Sequence, residues 1–423
     1  MNGKLKVAVI TRMTTQNAGN EALSVRLIEL LRQTPTVGEV RALDRYPRYF
    51  ESLSLLDVAG PDPVAAFDAL AARLARRAAR LGDGALADPA SADTVRLDLS
   101  ARELPSRLRD VKRRLGLRRR LAAWGIIGRA DLETRLRTLA WADLTIWNPA
   151  GEYHPTGDAN QPFRLLLMIR IAQLLGHRTA IVNHSLEIAD PLLKAIVGHV
   201  YREAQAIVVR DGPSLAVARE MGVAPERLSE APDLVFLTPE TTGQAVAPHA
   251  GAIGFAVNGL QALAGYNEWS ALLNRLEATG RPMVFVSNAM NHDLDFAIRL
   301  AEGRSMTLVR RQPSHEDLVD IYRGMGVLIS SRLHAAILAL SAGTPVVSIE
   351  PQVFKLTAIF DQMAYPLTSE TVHQAGWGMR VAAKVETALA DPSGLAREGR
   401  AALARQRSRI HDVYDGLFET TGA

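Results

Sequence analysis

The chain has 423 residues, of which 48% are hydrophobic and 22% are charged, with a net charge of only +4. This usage is typical of globular proteins and excludes disordered and fibrous classes, and the length allows two domains that each bury a core. Cysteine is absent, which excludes disulfides, thiolate metal sites and cysteine nucleophiles. No long apolar window and no signal-peptide pattern occurs, so we expect a cytoplasmic protein.

The first predicted elements open a strand, helix, strand unit. The pattern predicts a strand over Lys6 to Arg12, a loop over Met13 to Gly19, a helix over Glu21 to Gln33 and a strand near Glu39 to Leu43. From about residue 50 to residue 140 the chain is rich in Ala, Leu and Arg at helical spacing, without a convincing strand. We interpret this stretch as a helical insertion in the first domain.

Parallel alternation then resumes and completes a predicted first domain over residues 1–240. Strands and helices are predicted to alternate over Leu144 to Trp147, Pro162 to Leu175, Thr179 to Asn183, Pro191 to Ala204, Ala206 to Arg210, Pro213 to Met221 and the short strand Leu234 to Phe236. Residues 238–251 are rich in Pro, Gly and Thr with little periodicity, so they are the best candidate for a linker.

A second alternating set covers residues 251–375, and residues 376–423 are predicted to form helices that pack back across the domains. The elements of this set are Ala252 to Val257, Trp269 to Glu277, Met283 to Ser287, Leu294 to Ala301, Thr307 to Arg310, His315 to Tyr322, the unit Gly326 to Glu350 and Lys355 to Met363. The predicted fold is therefore α/β, with two doubly wound, Rossmann-like domains in tandem.

The segment from Gly326 to Glu350, GVLISSRLHAAILALSAGTPVVSIE, is the most informative part of the chain. It begins with a short apolar strand, after which Ser330 and Ser331 offer N-cap hydroxyls to an apolar helix. In open parallel sheets ligands bind beyond the carboxyl ends of the strands, and a helix N-terminus attracts anions. Arg332 and His334 therefore lie at a predicted anion site.

Four segments resemble the polysaccharide pyruvyl transferase family. SSRLHAAILALSAGTPVV is similar to the family's Arg-Leu-His motif, and VVRDGPSLAVAREMGV (Val208 to Val223) is similar to its Arg-Asp-x-x-Ser segment. APDLVF (Ala231 to Phe236) looks like its Pro-Asp strand, and NAGNEALSVRLIELL (Asn17 to Leu31) looks like its first loop and helix. The resemblance covers both ends and most of the second half of the chain, but not the region from about Phe50 to Asp143.

The resemblance implies an enzyme that transfers pyruvate from phosphoenolpyruvate to a sugar or glycan as a ketal, with an acceptor that can be lipid-linked. It also implies a GT-B-like architecture with the substrates between the two domains. Arg210 and Arg332 are implied as donor ligands, and both follow strands, so that in facing domains they can point into one cleft. Arginine suits a donor with a phosphate and a carboxylate because its planar fork forms bidentate bonds to either anion.

The predicted catalytic residues are Arg210, Arg332 and His334. The predicted donor-binding set adds Ser331 and Leu333 from the same motif, and Lys355, which matches a lysine in the family's C-terminal pattern. Histidine can be the acid that protonates the methylene carbon or the base that accepts a hydroxyl proton, and the sequence does not choose. Arg332 and His334 are about 200° apart on an ideal helix, so they can share a ligand only if Arg332 is at the cap.

The predicted acceptor-binding residues lie in two loops, with Asn17 and Glu21 in the first and Glu152 and His154 in the second. Both loops depart from the family pattern. The first usually reads Gly-Asp-Glu, whereas this chain has Asn20 in place of the acid, and the second is usually glycine-rich, whereas this chain reads NPAGEYHPTGD. An ordinary turn is an equally weighted interpretation of the second loop.

No obligatory metal and no cofactor is expected, because no histidine pair has metal-binding spacing and no P-loop pattern occurs. Two arginine clusters lie in the insertion, within Arg73 to Arg80 and Lys112 to Arg120. Their simplest interpretation is a solvated helix face, and no nucleic-acid partner is expected because no reading module accompanies them. A second interpretation is peripheral association of the insertion with the inner face of an anionic membrane.

Two alternative functions stay open. A GT-B-type glycosyltransferase that uses a nucleotide sugar would share the architecture and would need a glutamate for the ribose, for which Glu350 is the candidate. That alternative leaves the Arg-Leu-His motif unexplained. The other alternative is a non-catalytic relative that binds glycans or a synthesis complex through the basic insertion, and the departures at Asn20, Asn148 and Asn183 leave it open.

Overall fold

The computed structural model describes residues 4–13, 17–82, 129–153, 157–240, 249–259, 266–351 and 354–419. Within these residues every strand pair is parallel, and the strands form two six-stranded sheets with helices between successive strands. Parallel strands are covered on both faces, which is why they appear in the sequence as short continuous apolar runs. The predicted two-domain α/β, GT-B-like fold is confirmed.

The first sheet has the strand order β2-β1-β3-β4-β5-β6. Its strands are β1 Leu5–Thr11, β2 Val37–Asp44, β3 Leu144–Trp147, β4 Arg178–His184, β5 Ala206–Val209 and β6 Leu228–Glu230. Its helices are α1 Ala18–Gln33, α2 Pro63–Leu81, α3 Arg129–Trp141, α4 Asn160–Leu174, α5 Pro191–Glu203 and α6 Gly212–Glu220. The strand order reverses between β1 and β3, which is where a doubly wound sheet opens a crevice for a ligand.

The second sheet has the strand order β12-β11-β10-β7-β8-β9, and its order reverses between β7 and β10. Its strands are β7 Ile253–Ala256, β8 Met283–Val286, β9 Met306–Val309, β10 Val327–Ser330, β11 Val346–Glu350 and β12 Glu370–Thr371. Its helices are α7 Tyr266–Glu277, α8 Met290–Ala301, α9 His315–Tyr322, α10 Leu333–Ser341, α11 Lys355–Met363, α12 Trp377–Ala390 and α13 Pro392–Glu419.

One predicted strand is wrong. Leu234 to Phe236 form part of a short 3-10 helix, Leu234–Leu237, and the sixth strand of the first sheet is instead β6. Asp233 caps the 3-10 helix, because its side chain accepts a hydrogen bond from the N–H of Val235 at 2.9 Å. The three apolar side chains are buried in either conformation, so apolarity alone could not separate a strand from a short helix.

The structure describes both ends of the predicted insertion, up to residue 82 and from residue 129. These ends pack into the hydrophobic core around the first sheet. Helices α2 and α3 pack on α4, and Phe67, Leu74, Leu132 and Leu136 are buried in the same cluster as the first sheet. The Lys112 to Arg120 cluster lies outside the described residues. Among the described residues, none of the helices combines the length and apolarity needed to cross a bilayer.

The C-terminal helix α13 connects the second half of the chain to the segment that follows β6. Arg407 donates to the carbonyl oxygens of Phe236 at 2.9 Å and Thr238 at 2.8 Å, and it pairs with Glu240 at 3.0 Å. The side chain of Tyr414 is fully buried in the same region. This helix therefore fixes the position of the turn that carries Asp233.

Helix α1 also joins the two halves of the chain, the first with the first sheet (residues 4–240) and the second with the second sheet (residues 249–419). Its N-cap residue Asn17 accepts a hydrogen bond from Asn288 Nδ2 at 3.1 Å, and the N–H of Ala18 donates to the carbonyl oxygen of Asn288 at 3.2 Å. One turn further, Glu21 accepts from the N–H of His315 at 3.1 Å. The loops at the carboxyl ends of the two sheets thus face each other at close range.

Candidate active site

A cavity of about 240 Å³ lies between the carboxyl ends of the two sheets. The side chains that line it come from loops and helix starts that follow strands of both sheets, as expected for doubly wound folds. The lining residues are Arg12, Asn17, Asn20, Gly151, Arg210, Asn258, Asn288, Ser331, Arg332, Leu333, His334, Glu350, Pro351, Lys355 and Leu356.

Arg210 enters this cavity from the first sheet, directly after β5. Its Nη1 pairs with Asp233 Oδ2 at 2.8 Å, and its Nε donates to Ser185 Oγ at 2.8 Å. Ser185 in turn donates to Asp211 at 2.5 Å, while Asp211 caps α6 by accepting from the N–H of Ser214 at 2.8 Å. The guanidinium is nearly buried, with 4% of the side chain exposed, so these bonds fix its orientation.

Arg332 enters the cavity from the second sheet, at the N-cap of α10. Its backbone is extended, with φ −111° and ψ 114°, and its side chain pairs with the fully buried Asp293. Asp293 is itself held by the N–H of Ala289 at 3.1 Å. Because Arg332 is at the cap, its side chain and that of His334 reach the same cavity.

His334 lies in the first turn of α10 and faces the first half of the chain. Its Nε2 is 3.4 Å from Asp233 Oδ2, a distance suited to an ion pair and long for a hydrogen bond. On its other side the ring packs directly on α1, because a methyl group at Gly19 would overlap the imidazole of His334. The imidazole therefore occupies a narrow slot between the two halves.

Asp233 connects Arg210 and His334, which belong to opposite sheets. It is completely buried, and burial by itself would raise the pKa of this carboxyl group. The neighbouring imidazole of His334 and the guanidinium of Arg210, with the hydrogen bond from the N–H of Val235, reverse that effect and hold the pKa of Asp233 well below its usual range. The carboxylate is thus ionised, and it lies between the Arg210 guanidinium and the His334 imidazole.

Lys355 adds a further cation at the start of α11, and Glu350 caps the same helix. Lys355 Nζ is 3.4 Å from Glu187 of the first half. Burial lowers the pKa of Lys355, Arg210 lowers it further, and Glu187 partly offsets both. Glu350 Oε2 accepts from the N–H groups of Leu356 at 2.6 Å and Thr357 at 3.2 Å.

The predicted acceptor-binding residues are not gathered in one place. Asn17 lines the cavity, whereas Glu21 lies against His315 at the contact between the halves. Glu152 is buried beneath the cavity wall, where it pairs with Arg12 and accepts from Gln161. His154 lies outside the described residues.

A sequence model of the polysaccharide pyruvyl transferase family matches residues 17–352, which is most of the chain. The chain belongs to this family. The predicted resemblance is therefore confirmed, and the protein is a transferase. No curated protein matches its sequence.

Solved structures with the same fold include glycosyltransferases and a putative UDP-N-acetylglucosamine 2-epimerase. A UDP-forming α,α-trehalose-phosphate synthase from Burkholderia vietnamiensis has a TM-score of 0.53 at 11% identity and covers 99% of both chains. A glycosyltransferase from Rickettsia africae has a TM-score of 0.53 at 10% identity, with 99% of this chain and 98% of that chain covered. An O-GlcNAc transferase mutant from Thermobaculum terrenum has a TM-score of 0.51 at 13% identity, with 100% and 69% covered. At these identities the similarity shows the fold alone.

Several residues that line or support the cavity were not predicted from the sequence. Arg12 follows β1 just as Arg210 follows β5, so the rule that found Arg210 could also have found Arg12. Asn258 and Asn288 follow β7 and β8 in the same way. The sequence position of Asp293 does not predict a role at the site, because this residue lies inside a helix and not after a strand. It reaches Arg332 only through the tertiary fold.

Proposed function

We propose that the protein transfers pyruvate from phosphoenolpyruvate to two hydroxyl groups of a sugar or glycan, forming a ketal and releasing phosphate. Family membership gives the reaction class. The observation that carries the proposal is the convergence of Arg210 from the first sheet and Arg332 from the second on one cavity. Two guanidinium groups and the Lys355 ammonium suit a small donor that carries both a phosphate and a carboxylate.

The donor would bind at the start of α10. The N-cap side chain, Arg332, makes no capping hydrogen bond, so the first N–H groups of the helix and its dipole would be available to an anion. Ser331 lines the same cavity, and its Oγ accepts from the N–H of Asn258 at 2.8 Å, which fixes the strand end. In this proposal Arg210, Arg332 and Lys355 neutralise the donor's charges.

The proposed chemistry begins with protonation of the methylene carbon, which becomes a methyl group and leaves positive charge at C2. The first sugar hydroxyl adds to C2 and gives up its proton, forming a tetrahedral phospho-ketal. The C2–O bond to the phosphate then breaks, the second hydroxyl adds to C2, and its proton leaves with the phosphate. His334 is the candidate for the proton transfers at C3 and at the first hydroxyl, because it is the titratable imidazole beside Arg332.

The acceptor sugar would approach from the first half of the chain. Asn17 supports this direction because it lines the cavity, and Glu152, Glu21 and His154 stay predictions for acceptor binding. We further propose that the enzyme works at the cytoplasmic face of the membrane on a lipid-linked acceptor. Arg73, Arg76 and Arg80 are exposed on α2 and would attract anionic headgroups.

The test is stabilisation of the protein by phosphoenolpyruvate, followed by phosphate release with a panel of sugar and lipid-linked acceptors. The donor should raise the unfolding temperature of the wild type, because ligand that binds only the folded state stabilises it. Arg332→Ala should abolish this shift, whereas Arg397→Ala, an exposed arginine on α13, should keep it. Absence of any shift and of any phosphate release in the wild type would refute the proposal.

A nucleotide-sugar glycosyltransferase is the second candidate, because the structural neighbours include glycosyltransferases with this fold. It predicts that a uridine or guanosine diphosphate sugar stabilises the protein and that phosphoenolpyruvate does not. The contacts of Glu350 weigh against it, since Glu350 Oε2 already accepts two backbone hydrogen bonds from α11. If neither class of donor stabilises the chain, a non-catalytic glycan-binding role is favoured.

A further inference from the structure

We propose that Arg12, which Glu152 holds at the cavity wall, binds an anionic group of the acceptor, a phosphate or a carboxylate close to the hydroxyls that react. This inference rests on the proposed function, which supplies the acceptor. It concerns a cation that the donor does not require, because Arg210, Arg332 and Lys355 already match the donor's phosphate and carboxylate. It gives the acceptor a chemical class that family membership does not specify.

The surface that faces the cavity is positive, although its four cations Arg12, Arg210, Arg332 and Lys355 each have a carboxylate partner. The partners lie outside the lining of the cavity, and they are Glu152, Asp233, Asp293 and Glu187. Of the described residues that line the cavity, Glu350 is the only carboxylate, and its Oε2 accepts two backbone hydrogen bonds from α11. An anionic group is therefore favoured wherever one of these cations faces the cavity.

Arg12 and Arg210 enter the cavity from different parts of the first sheet. Arg12 follows β1 and Arg210 follows β5, and the three strand spacings between them correspond to about 14 Å. Lys355 belongs to the Arg210 side, since burial lowers the pKa of Lys355 and the nearby charge of Arg210 lowers it further. Arg12 instead shares the loop between β1 and α1 with Asn17, the residue that supports the direction of acceptor approach.

Glu152 holds the guanidinium of Arg12 and leaves part of it exposed. Only 3% of the Glu152 side chain is exposed, and its carboxylate pairs with Arg12 Nη1 and accepts from Gln161. The side chain of Arg12 is 23% exposed, against 14% for Arg332 and 4% for Arg210. A guanidinium has several N–H donors in a planar fork, so one ion pair does not exhaust them, and a phosphate or carboxylate matches the fork in geometry and charge.

The test compares how the full-length protein binds sugar 1-phosphates and the matching neutral methyl glycosides, measured by ligand-observed NMR. Galactose and N-acetylglucosamine supply the phosphate pairs, and the methyl glycosides of glucuronic acid and glucose form the carboxylate pair. In the wild type the anionic member of at least one pair should bind at least about tenfold more tightly, because of its charge-assisted hydrogen bonds. In Arg12→Gln this preference should fall to about twofold or less, while the affinity for phosphoenolpyruvate stays within about threefold of the wild type.

Arg332→Ala is the matched control, because it removes a guanidinium assigned to the donor from the same cavity. It should lose affinity for phosphoenolpyruvate and keep the preference for anionic sugars. A wild type without the preference, a preference that survives in Arg12→Gln, or an equal loss in Arg332→Ala would each overturn the inference. A loss of phosphoenolpyruvate affinity in Arg12→Gln as large as that in Arg332→Ala would overturn it as well, since Arg12 would then bind the donor.

A second variant keeps the inference testable if Arg12→Gln does not fold, because Glu152 is then buried without its cation. The double variant Arg12→Gln with Glu152→Gln removes both charges together and decides in its place. The proposed function is judged separately, by stabilisation with phosphoenolpyruvate and by phosphate release. A wild type that shows neither would refute the reaction, whereas the comparison of sugars would still decide whether Arg12 binds an anion.

Discussion

The cations of the cavity each have a carboxylate partner, which explains how several positive charges can lie together in a partly buried place. Burying a charge is costly unless it is paired, and a partner also fixes the direction of its side chain. The pairs are Arg12 with Glu152, Arg210 with Asp233, Arg332 with Asp293 and Lys355 with Glu187. A dianionic donor would enter a set of cations that is already oriented, so that little side-chain ordering remains to oppose binding.

Gly19 has no side chain, and this allows the imidazole of His334 to pack directly against α1. Gly19→Ala should destabilise the fold by about 1–3 kcal/mol, because its methyl group would overlap the imidazole ring. Phosphate release should fall by about a hundredfold, since a small displacement of a catalytic group has effects of this size. Chemical denaturation and a phosphate assay measure the two effects.

Gly416→Ala is the control for that substitution, because Gly416 is also helical and a Cβ there meets nothing within 4 Å. Replacing a helical glycine with alanine at such a site should raise stability by up to about 1 kcal/mol. If Gly19→Ala behaved like Gly416→Ala in both assays, the packing of α1 on His334 would not matter for the reaction.

His184 predicts a specific dependence of stability on pH. It is fully buried beside Tyr201, and burial, together with the charge of Arg210, lowers the pKa of His184 to about 3. Between this value and its ordinary pKa of 6.5 the unfolded chain binds a proton that the folded chain does not, so stability falls as pH falls. From pH 7 to pH 5 this residue alone should remove about 2 kcal/mol.

The comparison that isolates this effect is denaturant unfolding of the wild type and His184→Gln at both pH values. His184→Gln should lose less stability on acidification than the wild type, whatever its stability at pH 7. Equal losses in the two proteins would mean that His184 is already protonated in the folded state, contrary to its burial.

At the scale of elements, the rule that ligand-binding side chains follow strands predicted Arg210, Arg332 and His334 from the sequence, and all three line the cavity. It works because parallel strands bring their carboxyl ends to one edge, so sequence position alone places those residues. The same rule did not reveal that residues 234–236 form a 3-10 helix after β6. That segment carries Asp233, and its conformation depends on the side-chain cap and on α13, which lies far away in the chain.

Substitution of Arg407 tests whether α13 holds the turn that carries Asp233. Arg407→Ala removes two hydrogen bonds to backbone carbonyls and an ion pair, and should reduce stability by about 1–3 kcal/mol. Arg397→Ala, on the same helix but exposed, should change stability by less than about 0.5 kcal/mol. Equal unfolding free energies for the two variants would show that α13 does not support the turn.

At the scale of the whole molecule, charged side chains from one half are neutralised by the other half. Lys355 of α11 pairs with Glu187 of the first half, and Gln362 of the same helix donates to Glu230 at 2.7 Å. Together with the Asn17 and His334 contacts, these bonds hold the two sheets around the cavity. Since each such contact needs both halves, the site is complete only in this closed arrangement.

A double-mutant cycle with Lys355→Met and Glu187→Gln measures this contact. Because both side chains are largely buried, their coupling energy in unfolding experiments should be about 1–3 kcal/mol. The exposed pair Lys194 and Glu220, 3.9 Å apart, should couple by less than about 1 kcal/mol. Additive effects at Lys355 and Glu187 would contradict a bond between the halves.

The sequence by itself determined the two alternating sets of strands and helices, because buried parallel strands and amphipathic helices leave local patterns of apolar residues. It also gave Arg210, Arg332, Ser331, Leu333, His334 and Lys355 as candidates, since motif and strand end coincide there. Only the tertiary structure decided that Asp233 lies between Arg210 and His334, that Asp293 pairs with Arg332, and that Gly19 packs on the imidazole. These contacts join residues far apart in the chain. The packing of one half on the other brings His334 to Asp233 and Gly19, whereas the fold of the second half brings Asp293 to Arg332.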